Sequence, residues 1–392
     1  MNFETVRLGD ICKTNQYTYS LKENWSFVNY LDTGNITKNK IDEIQYIDLL
    51  SEKLPSRAKR KVKYNSIIFS TVRPNQLHYG IIKHQPDNFL VSTGFTVIDI
   101  NEKKANANFL FYLLTQSEYI QHLQAIAEQS TSAYPSIKPS DIEDLIIKIP
   151  DVVIQQKISS ILSAIDDKIE LNNKINANLE QQAQAIFKSW FVDFAPFGGV
   201  MPDDWHIGKL FEISDITMGQ SPKGTSYNEK GIGMLFFQGR TDFGNRFPKI
   251  RMYTTEPKRT AEKGDILLSV RAPVGDLNIA TQKCCIGRGL ASIRSKFNHS
   301  SFLFYTVFNL KSQFDMFNGE GTVFGSINQK ALKEMSVIIP KQKIIDEFER
   351  IVSPIDNVIK NNFDEICYLS ELRDTLLPKL MNGEIDVSQT KI

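Results

Sequence analysis

Short apolar runs separated by polar turns dominate the first 150 residues. The runs NSIIFSTV, LHYGII and FLVSTGFTVIDI are rich in β-branched and aromatic residues, which is typical of strands. The segment NANFLFYLLTQSEYIQHLQAIAEQ follows with apolar residues at helical spacing. The pattern predicts a mixed unit of several strands and a helical segment, closed by the loop STSAYPSIKPS and the run DLIIKIP.

The same order of patterns returns in residues 201–340. Residues 132–190 align without a gap with residues 322–380, and twelve of the 59 aligned positions are identical. Upstream, KGDILLSVRAP corresponds to YNSIIFSTVRP, and HSSFLFYTVF to NANFLFYLLT. Self-similarity of this length indicates a duplication. The chain therefore predicts two similar globular units.

A long amphipathic segment follows each unit, with apolar positions spaced alternately by four and three residues. This 3.5-residue period is that of a coiled-coil seam. Pro354 is expected to kink the second helix, and Arg373 interrupts its seam. Asn172 and Asn362 are equivalent seam positions, where a polar residue costs stability and fixes register. The seams comprise Ile158, Leu162, Ile165, Ile169, Asn172, Asn176, Leu179, Ala183, Ile186 and Trp190 in the first segment, and Phe348, Val352, Ile355, Ile359, Asn362, Ile366, Leu369, Leu376 and Leu380 in the second.

Neither seam can remain exposed, since each carries extensive apolar surface. We predict an α/β (α+β) protein in which two repeated globular domains are separated by two long helices that form an antiparallel coiled coil, with pseudo-two-fold symmetry. The predicted domains are residues 1–150 and 201–340, and the predicted helical regions are 151–200 and 341–392. The alternative is two independent helices, each lying on its own domain.

Composition and charge add two expectations. No run approaches the ~18 apolar residues of a membrane span, and the start MNFETVRLGD lacks the apolar core of a signal peptide. We therefore expect a cytoplasmic protein with no membrane partner. The formal net charge is only +1, whereas a chain that binds DNA by itself is usually basic. If DNA is the target, local basic patches and a partner that adds charge are expected.

Basic residues recur at matched places in the two units. The segment KLPSRAKRKVK contains Lys59 and Arg60, which align with Lys258 and Arg259. Beyond each pair a strand-like run ends in Val-Arg, which supplies Arg73 and Arg271. Arginine on a loop at a strand end can bind guanine edges or phosphate. The recurrence favours DNA binding, and a solvated charged face is the alternative.

Hydroxyl-rich loops precede the closing helix of each unit. Thr131 and Thr322 lie in these loops and are candidates for phosphate contact, although helix capping is the simpler role. The loops that differ between the units are expected to read different sequences. They contain Tyr17, Tyr19, Gln76, Lys223 and Arg240.

No catalytic or metal-binding signature is present in the sequence. Phosphate-binding and dinucleotide-binding glycine motifs are absent, as are the serine elbow and the H-E-x-x-H zinc motif. The nearest alternative is a metal-dependent nuclease that uses Asp87, Glu102 and Lys104. The spacing of these three is loose, and the second unit has no counterpart.

Two motifs resemble those of one known family. AIFKSWFVDFAPFGG (185–199) resembles the central conserved region of the specificity subunits of type I restriction-modification systems, and LLPKLMNGEIDV (376–387) resembles their C-terminal conserved region. The stretches KGDILLSVRAPVG and SINQKALKEMSVIIP resemble parts of their target recognition domains. The resemblance covers essentially the whole chain.

The resemblance implies a non-catalytic DNA-binding subunit whose two target recognition domains each read one half of a bipartite site with an unspecific spacer. The implied partners are double-stranded DNA, two adenine methyltransferase subunits and the restriction/translocase subunits of a phage-defence system. S-adenosylmethionine, ATP and magnesium then belong to partner subunits, and this chain binds no cofactor. Helix ends of this kind imply a docking surface, formed by Phe187, Trp190, Phe191, Phe194, Leu377 and Leu380; the alternative is that these side chains pack on the chain's own domains. The alternative to DNA reading is a coiled-coil scaffold that binds no DNA.

Overall fold

The computed structural model describes residues 2–130, 134–318 and 325–390. Contacts divide the chain into two units. The first combines Met1–Leu171 with Glu365–Ile392, and the second is Asn172–Asp364. Each long helix therefore contributes about half of its length to each unit. The division into two domains and two helical regions that the sequence predicts stays a prediction.

In its described residues the first unit contains twelve strands, three short α-helices, the start of one long helix and the end of another. Its strands are β1 (Phe3–Arg7), β2 (Cys12–Thr14), β3 (Phe27–Leu31), β4 (Ile36–Thr37), β5 (Lys40–Ile41), β6 (Gln45–Asp48), β7 (Ala58–Lys61), β8 (Ile67–Ser70), β9 (Tyr79–Ile81), β10 (Phe89–Ser92), β11 (Phe95–Ile100) and β12 (Ile146–Pro150). Its helices are α1 (Ala107–Leu114), α2 (Ser117–Glu128), α3 (Pro139–Glu143) and the beginning of α4 (Val152–Phe191).

The second unit repeats this order. Its strands are β13 (His206–Lys209), β14 (Ser214–Met218), β15 (Tyr227–Asn228), β16 (Met234–Phe237), β17 (Tyr253–Thr254), β18 (Thr260–Ala261), β19 (Ile266–Ser269), β20 (Leu277–Ile279), β21 (Cys284–Ile286), β22 (Leu290–Ser295) and β23 (Ser336–Ile339). Its helices are α5 (Leu210–Ile213), α6 (Ser300–Asn309), α7 (Lys311–Asp315), α8 (Gln329–Lys333) and the beginning of α9 (Gln342–Met381).

The sheets of the two units share one topology. In the first unit one sheet has the order β2-β11-β8-β9 and another β6-β3-β10-β7. In the second unit the order β14-β22-β19-β20 matches the first, and the five-stranded order β15-β17-β16-β21-β18 matches the second with β15 added at its edge. The pairs β3–β10 and β16–β21 are both parallel. The pairs β1–β12 and β13–β23 are both antiparallel. The duplication seen in the sequence is therefore a duplication of fold.

The central strands are covered on both faces. Every residue of β8, β10 and β11 is buried, as is every residue of β19 and β21. Such strands appear in the sequence as continuous apolar runs rather than alternating ones. This is why the runs were recognisable without any amphipathic period.

One turn differs in sequence and agrees in backbone. The second unit enters β19 through Gly264 with φ of +90°, and the first unit enters β8 through Asn65 with φ of +68°. Asparagine is among the few residues that tolerate the left-handed region. The Asn65-Ser66 pair therefore forms the same turn as Gly264-Asp265 of the second unit.

In the first unit the start of α4 packs against the end of α9. Ile158 and Leu162 are fully buried in the same cluster as Leu380. Arg373, which interrupts the seam in sequence, donates to Asp166 of α4 at 2.9 Å. Residues nearer the start of α4 contact residues nearer the end of α9, so the two helix segments are antiparallel.

The second unit pairs the end of α4 with the start of α9. The Phe187 and Phe348 rings are 5.8 Å apart, and Asn362 donates to Asn176 at 2.8 Å. These contacts also run antiparallel. The predicted fold class, with packed rather than independent helices, is confirmed, and α9 continues through Pro354. Asn172 is buried, and its role in register stays a prediction.

Each unit has a tyrosine–aspartate pair beside its helices, and an arginine completes each pair. Tyr112 donates to Asp166 at 2.6 Å in the first unit, and Tyr305 donates to Asp356 at 2.9 Å in the second. Arg373 of α9 binds the first aspartate. The second aspartate is bound by Arg246, which lies in the loop after β16.

Candidate nucleic-acid interface

The lysine–arginine pairs singled out from the sequence lie at one end of corresponding strands. Arg60 of β7 lies opposite Val91 of β10. Just before β18, the carbonyl oxygen of Arg259 accepts a hydrogen bond from the N–H of Ile286, which ends β21. Because β10 and β21 correspond, the two arginines occupy corresponding positions.

The side chains of these pairs retain unused hydrogen-bond donors. Lys59, Lys258 and Arg259 are exposed, and Arg60 is half-buried. Burial lowers the pKa of the Arg60 guanidinium, and its buried Nε has no hydrogen-bond partner among the described residues. The guanidinium remains protonated, because arginine keeps its charge in proteins. Free donors on a cation suit phosphate or base-edge acceptors.

Arg73 lies in the loop after β8, against the segment that precedes α3. Its backbone is left-handed with φ of 47°, and its N–H donates to the Pro135 carbonyl at 2.9 Å. Its guanidinium lies 5.4 Å from the ring centre of Tyr134, which is 61% exposed. An exposed guanidinium over an aromatic ring offers both stacking and hydrogen-bonding surface to a nucleic acid.

Arg271 does not occupy the position that corresponds to Arg73. Val72 forms a β-bridge to Ser136 in the first unit, whereas Arg271 forms the bridge to Ser326 in the second. The two serines are equivalent in the duplication, so Arg271 corresponds to Val72. The expectation of matched arginines is corrected here, because the Val-Arg pairs are offset by one residue.

A turn between two strands completes this end of each unit. In the first unit the N–H of Thr93, between β10 and β11, donates to the carbonyl oxygen of Arg57 at 2.8 Å. In the second unit the corresponding turn joins β21 to β22 and is Gly-Arg-Gly, with Arg288 at its centre. Sequence reasoning missed Arg57 and Arg288. The available signal for the latter was the Gly-Arg-Gly turn between two apolar runs.

We call the cations at this end of each unit the basic edge. It comprises Arg57, Lys59, Arg60 and Arg73 in the first unit, and Lys258, Arg259, Arg271 and Arg288 in the second. Within the ranges that the structure describes, no basic-edge side chain lies within 4 Å of a carboxylate oxygen. Unneutralised cations create a local positive potential even on a chain of net charge +1.

Three other exposed arginines of the second unit are neutralised. The ion pairs are Arg240 with Asp276, Arg251 with Asp242, and Arg294 with Asp265. Arg240 was a candidate reader by sequence, and its carboxylate partner weakens that assignment. The contrast separates structural arginines from those available to a ligand.

The remaining predicted loop contacts are placed only in part. Thr131 and Thr322 lie outside the described residues. The carbonyl oxygen of Tyr17 accepts a hydrogen bond from the Lys61 N–H, which holds this divergent loop beside β7. Gln76 is exposed in the short helix that follows Arg73.

The predicted docking residues fall into two groups. Phe187 and Phe191 are buried in the core of the second unit, and Leu380 is buried in that of the first. These three side chains serve as core, because a buried ring or isobutyl group offers no surface to a partner. Trp190, Phe194 and Leu377 are only half-buried, and they stay candidates for docking.

The three residues of the nuclease alternative are engaged separately. Glu102 accepts a hydrogen bond from Asn65 at 3.1 Å, and the Lys104 ammonium donates to the carbonyl oxygen of Asp10 at 2.9 Å. Asp87 is exposed on the loop before β10. In the described parts of the chain, no group of three or more His, Cys, Asp or Glu residues is placed to hold a metal ion. Within the same parts, no helix is both long and apolar enough to span a bilayer.

Comparison with known families gives a direct match. The model of the type I restriction modification DNA specificity domain matches residues 1–181 and again 202–366. The chain belongs to this family. Membership confirms the resemblance read from the helix-end motifs, and with it the expectation of a specificity subunit rather than an enzyme. The two alternatives, a nuclease and a scaffold, receive no support.

Individual members of the specificity family resemble the chain over almost its full length. The putative type I restriction enzyme MjaX specificity subunit of Methanocaldococcus jannaschii is 29% identical, with 98% of this chain and 94% of that protein covered. The type I restriction enzyme HindI specificity subunit of Haemophilus influenzae is 27% identical, with coverage of 98% and 100%. The solved S subunit of the type I system of M. genitalium has the same fold, with a TM-score of 0.63 at 17% identity and coverage of 97% and 96%.

Proposed function

We propose that this chain gives a type I restriction-modification complex its DNA sequence specificity and catalyses no reaction itself. Each unit reads one half of a bipartite, asymmetric site. The observation that carries the proposal is the basic edge, which recurs at the same end of the same sheets in both units. Among the described residues, none of its side chains forms an ion pair. A single binding unit would not need a second copy of that arrangement.

Each basic edge is proposed to make two kinds of contact with DNA, one with phosphate and one with bases. Lys59 and Lys258 are flexible point charges suited to phosphate, which positions the chain on the duplex. Arg73 and Arg271 are suited to bidentate contact with guanine. Their one-residue offset gives the two units different reading geometries, as two unlike half-sites require.

The long helices are proposed to set the spacing between the half-sites. Both α4 and α9 contain 40 residues, which is about 60 Å of helix. Spacer length in the DNA would then follow helix length. Asn172 and Asn362 are proposed to fix the helix register.

The proposed complex includes two methyltransferase subunits and, for restriction, the translocase and nuclease subunits. Trp190, Phe194 and Leu377 are proposed as docking contacts, because each keeps apolar surface exposed at a helix end. S-adenosylmethionine, ATP and magnesium would be held by the partners. The proposed place of action is the cytoplasm, and residues 1–150 and 201–340 are the proposed target recognition domains.

The test is to map methylated adenines in DNA treated with the chain and the methyltransferase subunit of its own system. The expected product is a single bipartite motif that disappears when the chain is omitted. Replacing Lys59 and Arg60 with alanine should weaken recognition of one half-site. The slope of log affinity against log salt should fall by up to ~2, because each phosphate contact contributes ~0.9.

Matched controls lie at the opposite strand ends. Lys103 follows the end of β11, and the Thr93 turn precedes the start of that strand. Lys263 precedes the start of β19, and Arg271 follows the end of that strand. Alanine at Lys103 or Lys263 removes one charge and should leave motif and salt slope unchanged. Methylation without a defined motif, or no DNA binding in the assembled complex, would contradict the proposal.

A further inference from the structure

We propose that Arg288 reads a guanine in the half-site of the second unit. The inference rests on the proposed function and deepens it by naming a specificity-determining residue. Arg288 lies at the centre of the turn between β21 and β22 and is exposed. Three features of this turn support the assignment.

The first feature is a backbone held from several sides. The N–H of Leu290 closes the turn on the Gly287 carbonyl at 2.9 Å, and the N–H of Arg288 donates to the Ser221 hydroxyl at 3.2 Å. The N–H of Val270, beside Arg271, donates to the Gly289 carbonyl at 2.9 Å. A backbone fixed in this way directs the side chain with little loss of entropy on binding.

The second feature is the pair of flanking glycines. A Cβ on Gly287 would lie 2.9 Å from the Cα of Gln238, and a Cβ on Gly289 would lie 2.8 Å from the carbonyl oxygen of Gln238. The close approach of these backbones therefore requires glycine at both positions. As a result, Arg288 is the only side chain that the three-residue turn presents.

The third feature is the absence of a competing acid. Where the structure describes the chain, the guanidinium of Arg288 has no carboxylate within 4 Å, whereas Arg240, Arg251 and Arg294 are each paired. A paired arginine would have to break its ion pair before it could bind DNA. Arg288 is available at once, with the full donor fork that matches the O6 and N7 acceptors of guanine.

The corresponding residue of the first unit is Thr93, which has no guanidinium. If this turn reads a base in both units, the two turns must prefer different bases. A phosphate contact would not require this difference, because phosphate is the same in both half-sites. The exchange of Arg for Thr within a duplicated turn is what a base-reading position predicts.

The experiment compares Arg288→Ala and Arg288→Lys in the complex of the full chain with its methyltransferase subunit. Methylation is measured on duplexes with one randomised half-site at a time. Arg288→Ala should lose discrimination at one guanine of one half-site by about ten- to a hundred-fold, with the other half-site unchanged. Arg288→Lys should not restore it, because lysine lacks the bidentate fork. In the wild-type complex, 7-deazaguanine at that position should reduce methylation, and in Arg288→Ala it should have no effect.

Lys263→Ala is the matched control for charge, and Thr93→Ala is the matched control for turn position. Thr93→Ala should leave the half-site of the second unit unchanged. An Arg288→Ala complex that keeps the wild-type motif would overturn the inference. So would a uniform loss of methylation that lysine restores, since that marks a phosphate contact. If the wild-type complex shows no bipartite motif at all, the proposed function fails before Arg288 is tested.

Discussion

Replacing Arg246 with alanine should destabilise the second unit more than any exposed ion-pair substitution. The Arg246 side chain is only 4% exposed. Its guanidinium donates to Asp356 at 2.6 Å, to Glu180 at 3.1 Å and to the Tyr305 hydroxyl at 3.0 Å. It also lies 4.2 Å from the ring centre of Phe304. This arginine ties the loop after β16 to helices α4 and α9.

The magnitude follows from what alanine leaves behind. Asp356 is 18% exposed and would lose the guanidinium that lies 2.6 Å from its carboxylate. Breaking a buried pair by removal of one partner costs about 3–5 kcal/mol. A unit of this size loses roughly 2–4 °C of Tm per kcal/mol. The expected fall in Tm is therefore roughly 6–20 °C.

The control is Lys341→Ala. Lys341 also lies 2.6 Å from a carboxylate, that of Asp204, but the two side chains are 61% and 49% exposed. An exposed pair contributes about 0–1 kcal/mol. The two variants thus match in distance and differ in burial. Thermal unfolding monitored by circular dichroism, with hydrogen exchange of α6, measures both.

Adding Asp356→Asn to Arg246→Ala tests the cause. The asparagine is neutral, and its single carbonyl oxygen can still accept from Tyr305 or from Ser301, which donate to different oxygens of Asp356. Part of the lost Tm should therefore return. Equal effects of Arg246→Ala and Lys341→Ala would refute the reasoning from burial. A double variant no more stable than Arg246→Ala would show that the isolated charge is not the cause.

Three further predictions concern the second unit. Phe187→Ala should cost about 3–5 kcal/mol, because the ring is buried among other aromatic rings. Trp190→Ala should lower Tm less and instead weaken binding of the methyltransferase subunit in calorimetric titration; equal losses of Tm would contradict the assignment. Burial raises the pKa of the Glu349 carboxyl, although it accepts a hydrogen bond from the Phe302 N–H. A raised folded pKa gives stability that is present below the unfolded value, near 4.3, and is lost as pH rises through the folded value. Glu349→Gln should therefore flatten the fall of Tm with pH above about 4.3, and an unchanged Tm–pH profile would count against it.

Much of the fold was predictable because it depends on patterns local to the chain. Buried strands such as β8 and β19 are visible as continuous apolar runs. The 3.5-residue period identifies α4 and α9 as packed helices. The duplication needs only an alignment of the chain with itself, and the helix-end motifs indicate the family.

The candidate interface was only partly predictable. Lys59-Arg60 and Lys258-Arg259 were found because they recur in sequence. The sequence alone treats Arg240 and Arg288 alike, since both are arginines near a glycine. Only the fold brings Asp276 to Arg240 and, in the described part of the chain, leaves Arg288 without an ion-pair partner.

The sequence by itself determined the two repeated units, their strands and the long helices, because periodicity and self-similarity are properties of neighbouring residues. The tertiary structure decided which cations are free, which aromatic side chains are core, and that Arg271 corresponds to Val72. Those outcomes depend on contacts between residues far apart in the chain. Only the paired strands and packed helices bring such residues together.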